Sequence, residues 1–169
     1  VKWTRDELER NEGPVSFDEN IELDDDIFSS SKLIQGVRNL HVYGSGFFDG
    51  ENELFLCELH VEGTMICPDA ITNEAIEVPL DTESHETYAF GAVDDDDDSI
   101  RIVTDEVIDL LPAVVDAILL EVPISVTEAE EEAYPSGDGW RVLSEEAYEN
   151  EKSSQGDPRL AKLKEFKNE

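Results

Sequence analysis

The chain has 169 residues, 39% of them hydrophobic, and sets 43 acidic against 12 basic side chains, for a net charge of −31 and a pI near 4.1. That length allows one domain with a proper core, and a mean hydropathy of −0.41 without a long apolar run argues against a helical membrane anchor. Every Lys and Arg lies outside residues 39–100, which hold 16 Asp and Glu, so the middle of the chain lacks the cations that supply most non-specific nucleic-acid affinity.

Taken from the N-terminus, residues 3–11 read as a short helix. Thr4 and Glu7 stand at capping-box spacing, Trp3 and Leu8 occupy the hydrophobic-staple positions, and Gly13-Pro14 ends it. Residues 15–23 read as a strand, with Val15, Phe17, Ile21 and Leu23 in one parity. Residues 24–32, acidic and then serine-rich, read as a loop or a poorly formed turn of helix. Leu40, Val42 and Gly44 suggest a strand running into Gly46, followed by an Asp49-Gly50 turn that Glu51–Glu53 widen into a hairpin loop.

Residues 54–67 form the clearest strand. Phe55, Cys57, Leu59 and Val61 alternate with Leu56, Glu58, His60 and Glu62, the pattern of a half-buried sheet. Gly63 marks a bulge or sharp bend. Residues 75–80, 86–90 and 100–104 are read as three further short strands, the last after the run Asp94, Asp95, Asp96, Asp97, Asp98.

Residues 109–123 are the stretch around which the rest is organised. Asp109 is placed as N-cap, Pro112 falls in the first turn where its missing N–H costs nothing, and Pro123 stops the helix. Between Leu110 and Leu120 the only ionisable residue is Asp116, so the helix is expected to be covered on more than one side. Leu111, Val114, Val115, Ile118 and Leu119 would each contribute roughly 1.5–3 kcal/mol if fully buried. Residues 122–126 are expected to leave it as a last strand.

Beyond Thr127, residues 128–132, 135–139 and 153–156 have the composition of mobile linker. Two islands interrupt it: residues 140–143, fit to dock on the domain, and Asp157-Pro158, a start signal for a short basic helix ending near Phe166. The expected fold is α+β: a curved, mostly antiparallel, partly barrel-like sheet packed around one central helix, with a short N-terminal helix. Residues 1–127 are expected to form this domain and residues 128–169 an acidic, flexible extension.

Motifs that carry chemistry are scarce. Residues 44–50, Gly-Ser-Gly-Phe-Phe-Asp-Gly, lack the spacing of a nucleotide loop and have no helix to follow, so a twisted hairpin is the better reading. The aspartate run has neither the glycine nor the glutamate of an EF-hand and offers at most weak cation attraction. His41, His60 and His85 have no metal-ligand spacing, and Cys57 and Cys67 form no Cys-x-x-Cys pair and are expected as reduced thiols. Pro68-Asp69 with Glu74 and Glu77 faintly suggests a metal-dependent nuclease, but no lysine lies nearby and the region would repel its substrate. No serine or cysteine sits in a nucleophile elbow. Catalytic, cofactor-binding and metal-binding residues are therefore all read as absent. With no signal peptide recognised, the cytoplasm is the expected compartment.

Five segments together resemble a known family. They are Lys2-Trp3-Thr4-Arg5-Asp6-Glu7-Leu8, the Val42-x-Gly44 step, Glu62-Gly63-Thr64-Met65-Ile66, the block Val107-Ile108-Asp109-Leu110-Leu111-Pro112 with Leu119-Leu120-Glu121-Val122-Pro123, and the tail Asp157-Pro158-Arg159-Leu160-Ala161-Lys162-Leu163. The chain resembles the YceD family, the large ribosomal RNA subunit accumulation proteins, in its Gram-positive form. That resemblance implies a non-enzymatic bacterial factor needed for accumulation of 23S rRNA, whose gene commonly neighbours that of a small basic large-subunit protein. Many members carry a cysteine just after the proline that here is Pro68; this chain has Asp69 there.

Charge and resemblance together give the functional expectation. An acidic surface including Asp94, Asp95, Asp96, Asp97 and Asp98 would hold a basic ribosomal protein or a large-subunit assembly intermediate, with contact to rRNA indirect, although the same charge would also serve solubility or salt adaptation alone. The alternative is direct rRNA contact through the C-terminal cations Arg159, Lys162, Lys164 and Lys167.

Overall fold

A computed structural model describes residues 1–11, 13–91, 99–130 and 134–154. The candidate residues Asp94–Asp98, Arg159, Lys162, Lys164 and Lys167, and the helix expected from Asp157, lie outside the described residues.

The fold is α+β; the described residues form mostly antiparallel sheets, three α-helices and a single 3-10 turn at Asp25–Phe28. Strand β1 (Lys2–Thr4) leads into helix α1 (Arg5–Arg10), which opens on the expected capping box: the Glu7 N–H donates to the Thr4 hydroxyl, and the Thr4 N–H donates to the Glu7 carboxylate at 2.8 Å. Strands β2 (Val15–Ile21), β3 (Gly36–Asp49), β4 (Leu54–Pro68) and β5 (Ala75–Ala89) follow, then β6 (Ile100–Ile102), β7 (Val107–Asp109) and helix α2 (Leu111–Glu121). Strands β2 to β6 form one five-stranded sheet in that order, antiparallel except where β6 runs parallel to β5. A separate ladder pairs β1 with β7, so Lys2 faces Asp109 and Trp3 faces Ile108. The sheet has two edges, β2 and β6, and among the described residues it does not close into a barrel.

Three local expectations change. Residues 75–80 and 86–90 are not two strands: β5 runs unbroken for 15 residues, with Asp81–His85 in full register against Glu62–Glu58 of β4. Residues 122–126 are not a strand, although the Val126 carbonyl accepts from the Ala70 N–H at 2.8 Å. Gly63 is opposite a bulge rather than in one. The register slips between Arg38 and His41 of β3, where Asn39 is left-handed at φ 51°, and a Cβ on Gly63 would press on the Arg38 carbonyl oxygen at 3.1 Å. Gly44 and Gly46 belong to β3, where a Cβ would overlap the Glu58 carbonyl oxygen and the Phe55 ring respectively, so these glycines serve strand packing and cradle no phosphate.

The core lies between the inner sheet face and α2. Phe55, Leu59, Val61 and Val42 are fully buried on the sheet side, and Ala113, Val114, Ala117 and Ile118 on the helix side. Two alanines on the contact face let α2 approach β4 and β5 closely. Of the five helix residues expected in the core, Val114 and Ile118 are buried, Leu111 and Val115 are half-buried, and Leu119 is exposed; its neighbour Leu120 is 85% exposed. One face of α2 is thus covered, by the sheet, and the outer face stays open. Asp109 accepts from the Leu111 N–H at 3.0 Å, one position upstream of the helix N-cap Leu110. Arg101 of β6 ties the edge to α2, donating to Glu86 at 2.7 Å and to Asp116 at 2.8 Å.

Within the stretch expected as linker, strands β8 (Ser136–Gly137) and β9 (Trp140–Arg141) pair as a small hairpin, and helix α3 (Glu145–Ser154) follows. Trp140 is 57% exposed rather than docked.

Candidate partner-binding face

Alternation along β4 sends Phe55, Cys57, Leu59 and Val61 inward, so Leu56, Glu58, His60 and Glu62 must point outward. Register then assembles cross-strand rows on the outer face. Asn20, His41, Glu62 and Asp81 form one, Asp18, Tyr43, His60 and Glu83 the next, and Ser16, Ser45, Glu58 and His85 the third. All three histidines of the chain stand on this surface with five carboxylates, and no Lys or Arg is among the rows.

The rows are knitted together by polar contacts. His41 lies 2.9 Å from Asp18, and the Tyr43 hydroxyl donates to Glu62 at 2.7 Å. That hydrogen bond, with desolvation adding to it, raises the Tyr43 hydroxyl above the usual tyrosine range. The Tyr43 ring stacks on His60 at 4.9 Å with planes 5° apart. His60 places Nε2 3.2 Å from Glu58 and Nδ1 3.8 Å from Glu83, and His85 Nε2 is 3.7 Å from Glu83. One ligand atom each from Glu58, His60 and Glu83 falls within 4.8 Å of the others. Beyond the third row the surface turns apolar at exposed Phe47 and Leu56, which with Pro14, Ser45 and His85 line a shallow groove of about 260 Å³.

Electrostatics elsewhere point the same way. Each arginine among the described residues is within ion-pair distance of a carboxylate: Arg5 with Glu9, Glu53 and Glu106, Arg10 with Asp6, Arg38 with Asp25, Arg101 with Glu86 and Asp116, and Arg141 with Glu151. Hydrogen-bonded carboxylates hold the Arg5 and Arg38 guanidiniums even further above their ordinary range. These groups are committed to acids of the same chain and are poor candidates for gripping phosphate.

The cysteines are free, buried, and share strand β4, which keeps them ten residues apart along an extended chain and out of disulfide reach. Burial, aided by Glu86 and Glu58, pushes the Cys57 thiol up to about 12, and burial raises Cys67 as well. Because only the thiolate reacts, iodoacetamide at pH 8 should modify neither cysteine in the folded chain and both in denaturant. Labelling of Cys57 without denaturant would mean that β4 opens locally.

The sequence could not reveal these rows. Asp81–His85 carry no apolar residue and so gave no strand signal, and without β5 in register neither Glu83 nor His85 could be placed beside His60. The alternation in β4 was the one signal available.

Among the described residues no helix is long and apolar enough to cross a membrane. Comparison with known proteins finds a match between residues 57–167 and the family described as "Large ribosomal RNA subunit accumulation protein YceD". The chain is also 33% identical over 170 residues to the "Uncharacterized protein YlbN" of Bacillus subtilis (strain 168), covering 96% of this chain and 94% of that protein. No solved structure gives a significant match. The matched region contains the Glu62–Ile66 strand, the α2 block and the tail from which the resemblance was read, and the relative is similar almost end to end; the chain belongs to the YceD family.

Proposed function

We propose that this chain is a non-enzymatic cytoplasmic factor that supports accumulation of large-subunit 23S rRNA by holding a basic ribosomal protein on the acidic outer face of its sheet. The observation that carries this reading is the charge on that face: Asp18, Glu58, Glu62, Asp81 and Glu83 stand on adjacent strands with no Lys or Arg among them. Such a surface attracts a lysine-rich protein and repels polyphosphate. The family description supplies the link to the large subunit. In the sequence between β5 and β6, Asp94–Asp98 add five further acidic residues.

The test is binding of the full chain to a purified, lysine-rich large-subunit protein and, separately, to a 23S rRNA fragment. The protein should bind at low salt, with an association rate that falls by roughly tenfold or more toward 1 M salt, where the Debye length is about 3 Å. Binding of the RNA alone would overturn the proposal. If deletion of residues 157–169 then abolished the RNA binding, Arg159, Lys162, Lys164 and Lys167 would be the contact instead.

A further inference from the structure

We propose that Glu58, His60, Glu83 and His85 form a binding site for a divalent cation of the Zn²⁺ class on the outer face of the sheet. The four occupy a two-by-two square of β4 and β5: Glu58 is directly opposite His85, and His60 directly opposite Glu83. Residues two apart on a strand share a face, and directly opposed residues have Cβ atoms about 4.5–5.5 Å apart, so the four side chains rise side by side from one patch of the sheet.

The donor set suits such an ion. Two imidazoles with two carboxylates match the mixed nitrogen and oxygen preference of Zn²⁺, Cu²⁺ and Ni²⁺ rather than the all-oxygen shells of Mg²⁺ and Ca²⁺, and two carboxylates offset the dipositive charge. No Lys or Arg shares the surface rows to compete for the glutamates.

Preorganisation distinguishes this square from an ordinary cluster of exposed acids. The His60 side chain is only 27% exposed and lies parallel to the Tyr43 ring, which restricts its rotation. Tyr43 is fixed in turn by its hydrogen bond to Glu62. Its Nε2 faces Glu58 and its Nδ1 faces Glu83, so the His60 ring already lies between the two glutamates that would share the ion with it. Ligands about 2.0–2.2 Å from a tetrahedral Zn²⁺ stand roughly 3.3–3.5 Å apart. The donor atoms of Glu58, His60 and Glu83 lie within 4.8 Å of one another. The two glutamates are half exposed and can close that gap by side-chain rotation, and His85, the most exposed of the four, supplies the fourth ligand. Spacing rules drawn from single-segment motifs miss the square because its ligands come from two strands.

The proposal stands apart from the ribosomal-protein reading and is tested without any partner. The full chain is titrated with Zn²⁺ by calorimetry, and the histidine ring resonances are followed by NMR. One Zn²⁺ per chain should bind with shifts confined to the His60 and His85 rings. His60→Ala should weaken binding by more than about tenfold, at least what loss of a supporting residue costs, and His85→Ala by less. Replacing Asp94–Asp98 with Asn should leave this binding unchanged. Unaltered affinity in His60→Ala, or His60 and His85 resonances that do not move, would overturn the site. Should His60→Ala fail to fold, the ring resonances of the unaltered chain decide.

Discussion

Phe55→Ala should destabilise the folded chain by about 3–5 kcal/mol, seen as a lower denaturant midpoint at unchanged slope. Phe55 has no solvent exposure and sits mid-sheet on β4, opposite Phe48 of β3 and Tyr88 of β5. Its ring contacts Trp3 at 5.4 Å between centroids and Tyr88 at 6.4 Å, and it covers Gly46, which has no side chain to fill the space. Trp3 also packs edge-on against Phe17 at 5.5 Å, so the same ring connects the β1–β7 ladder to the main sheet. Neighbours on a continuous hydrogen-bonded ladder cannot collapse into the cavity, which places the cost toward the upper end of the range for buried aromatics. Leu56→Ala is the control. That side chain is 48% exposed on the opposite face, and its loss should change stability by no more than about 0.5 kcal/mol. Equal effects from the two variants would mean that β4 is not paired in this register.

The contrast between Phe55 and Leu56 also shows what the sequence made legible. Strict alternation over residues 57–62 declares both the strand and its faces, and Thr4 with Glu7 declares the start of α1, because each pattern is written in neighbouring residues. Asp81–His85 are different. Thr82 and Ser84 face inward but are polar, with Thr82 donating to Glu121 of α2 and Ser84 to Glu86, so both faces of this part of β5 read as loop. The three residues of β1 are too few to show any period. Helix α3 has its signal in Ser144, whose hydroxyl accepts from the Ala147 N–H at 3.1 Å, but the polar segment that follows has no apolar stripe to announce a helix. Helix α2 was legible in extent but not in burial. An almost wholly apolar sequence shows that some face is covered without showing which, and Leu119 and Leu120 are on the face that is not.

The outer-face rows were less legible still. They depend on the pairing of Glu58 with His85 and of His60 with Glu83, residues on different strands whose register is set by the hairpin and the core, not by local composition. The absence of Lys and Arg from residues 39–100 becomes, once folded, three cross-strand rows without a cation. The residues singled out by composition, Asp94–Asp98 and the C-terminal cations, lie outside the described residues; the acids placed on the described face are Asp18, Glu58, Glu62, Asp81 and Glu83.

Asp69→Ala should lower the melting temperature by about 5 °C and free the chain after α2. Asp69 is the one buried polar or charged residue among the described residues, at 4% exposure. It sits where the family resemblance leads one to expect a cysteine, and its carboxylate serves as a latch. One oxygen accepts from the N–H groups of Ile71 and Thr72 at 2.7 and 3.0 Å, which shapes the turn between β4 and β5. The other accepts from the Glu128 N–H at 2.8 Å, and the Thr127 hydroxyl lies 2.9 Å from both. The strap at residues 126–128 is thus held to the sheet, with the Ala70 N–H donating to the Val126 carbonyl beside it. These donors, Thr72 foremost, outweigh the cost of desolvation and hold the carboxyl far below the usual carboxylate range. The sign of the pH effect follows. A depressed folded-state value contributes stability that is fully present above the unfolded value of about 3.9 and is lost as pH falls toward the folded one. Wild type and Asp69→Ala should therefore differ most near neutral pH and converge in strong acid. Asp69→Asn should fall between them, because its amide oxygen can still accept from Ile71 and Thr72 while its NH₂ confronts the Glu128 N–H. Limited proteolysis supplies the local readout: cleavage near residues 126–130 should speed up in Asp69→Ala at temperatures where the sheet remains folded. Unchanged cleavage there, with a full loss of melting temperature, would assign Asp69 to the turn alone.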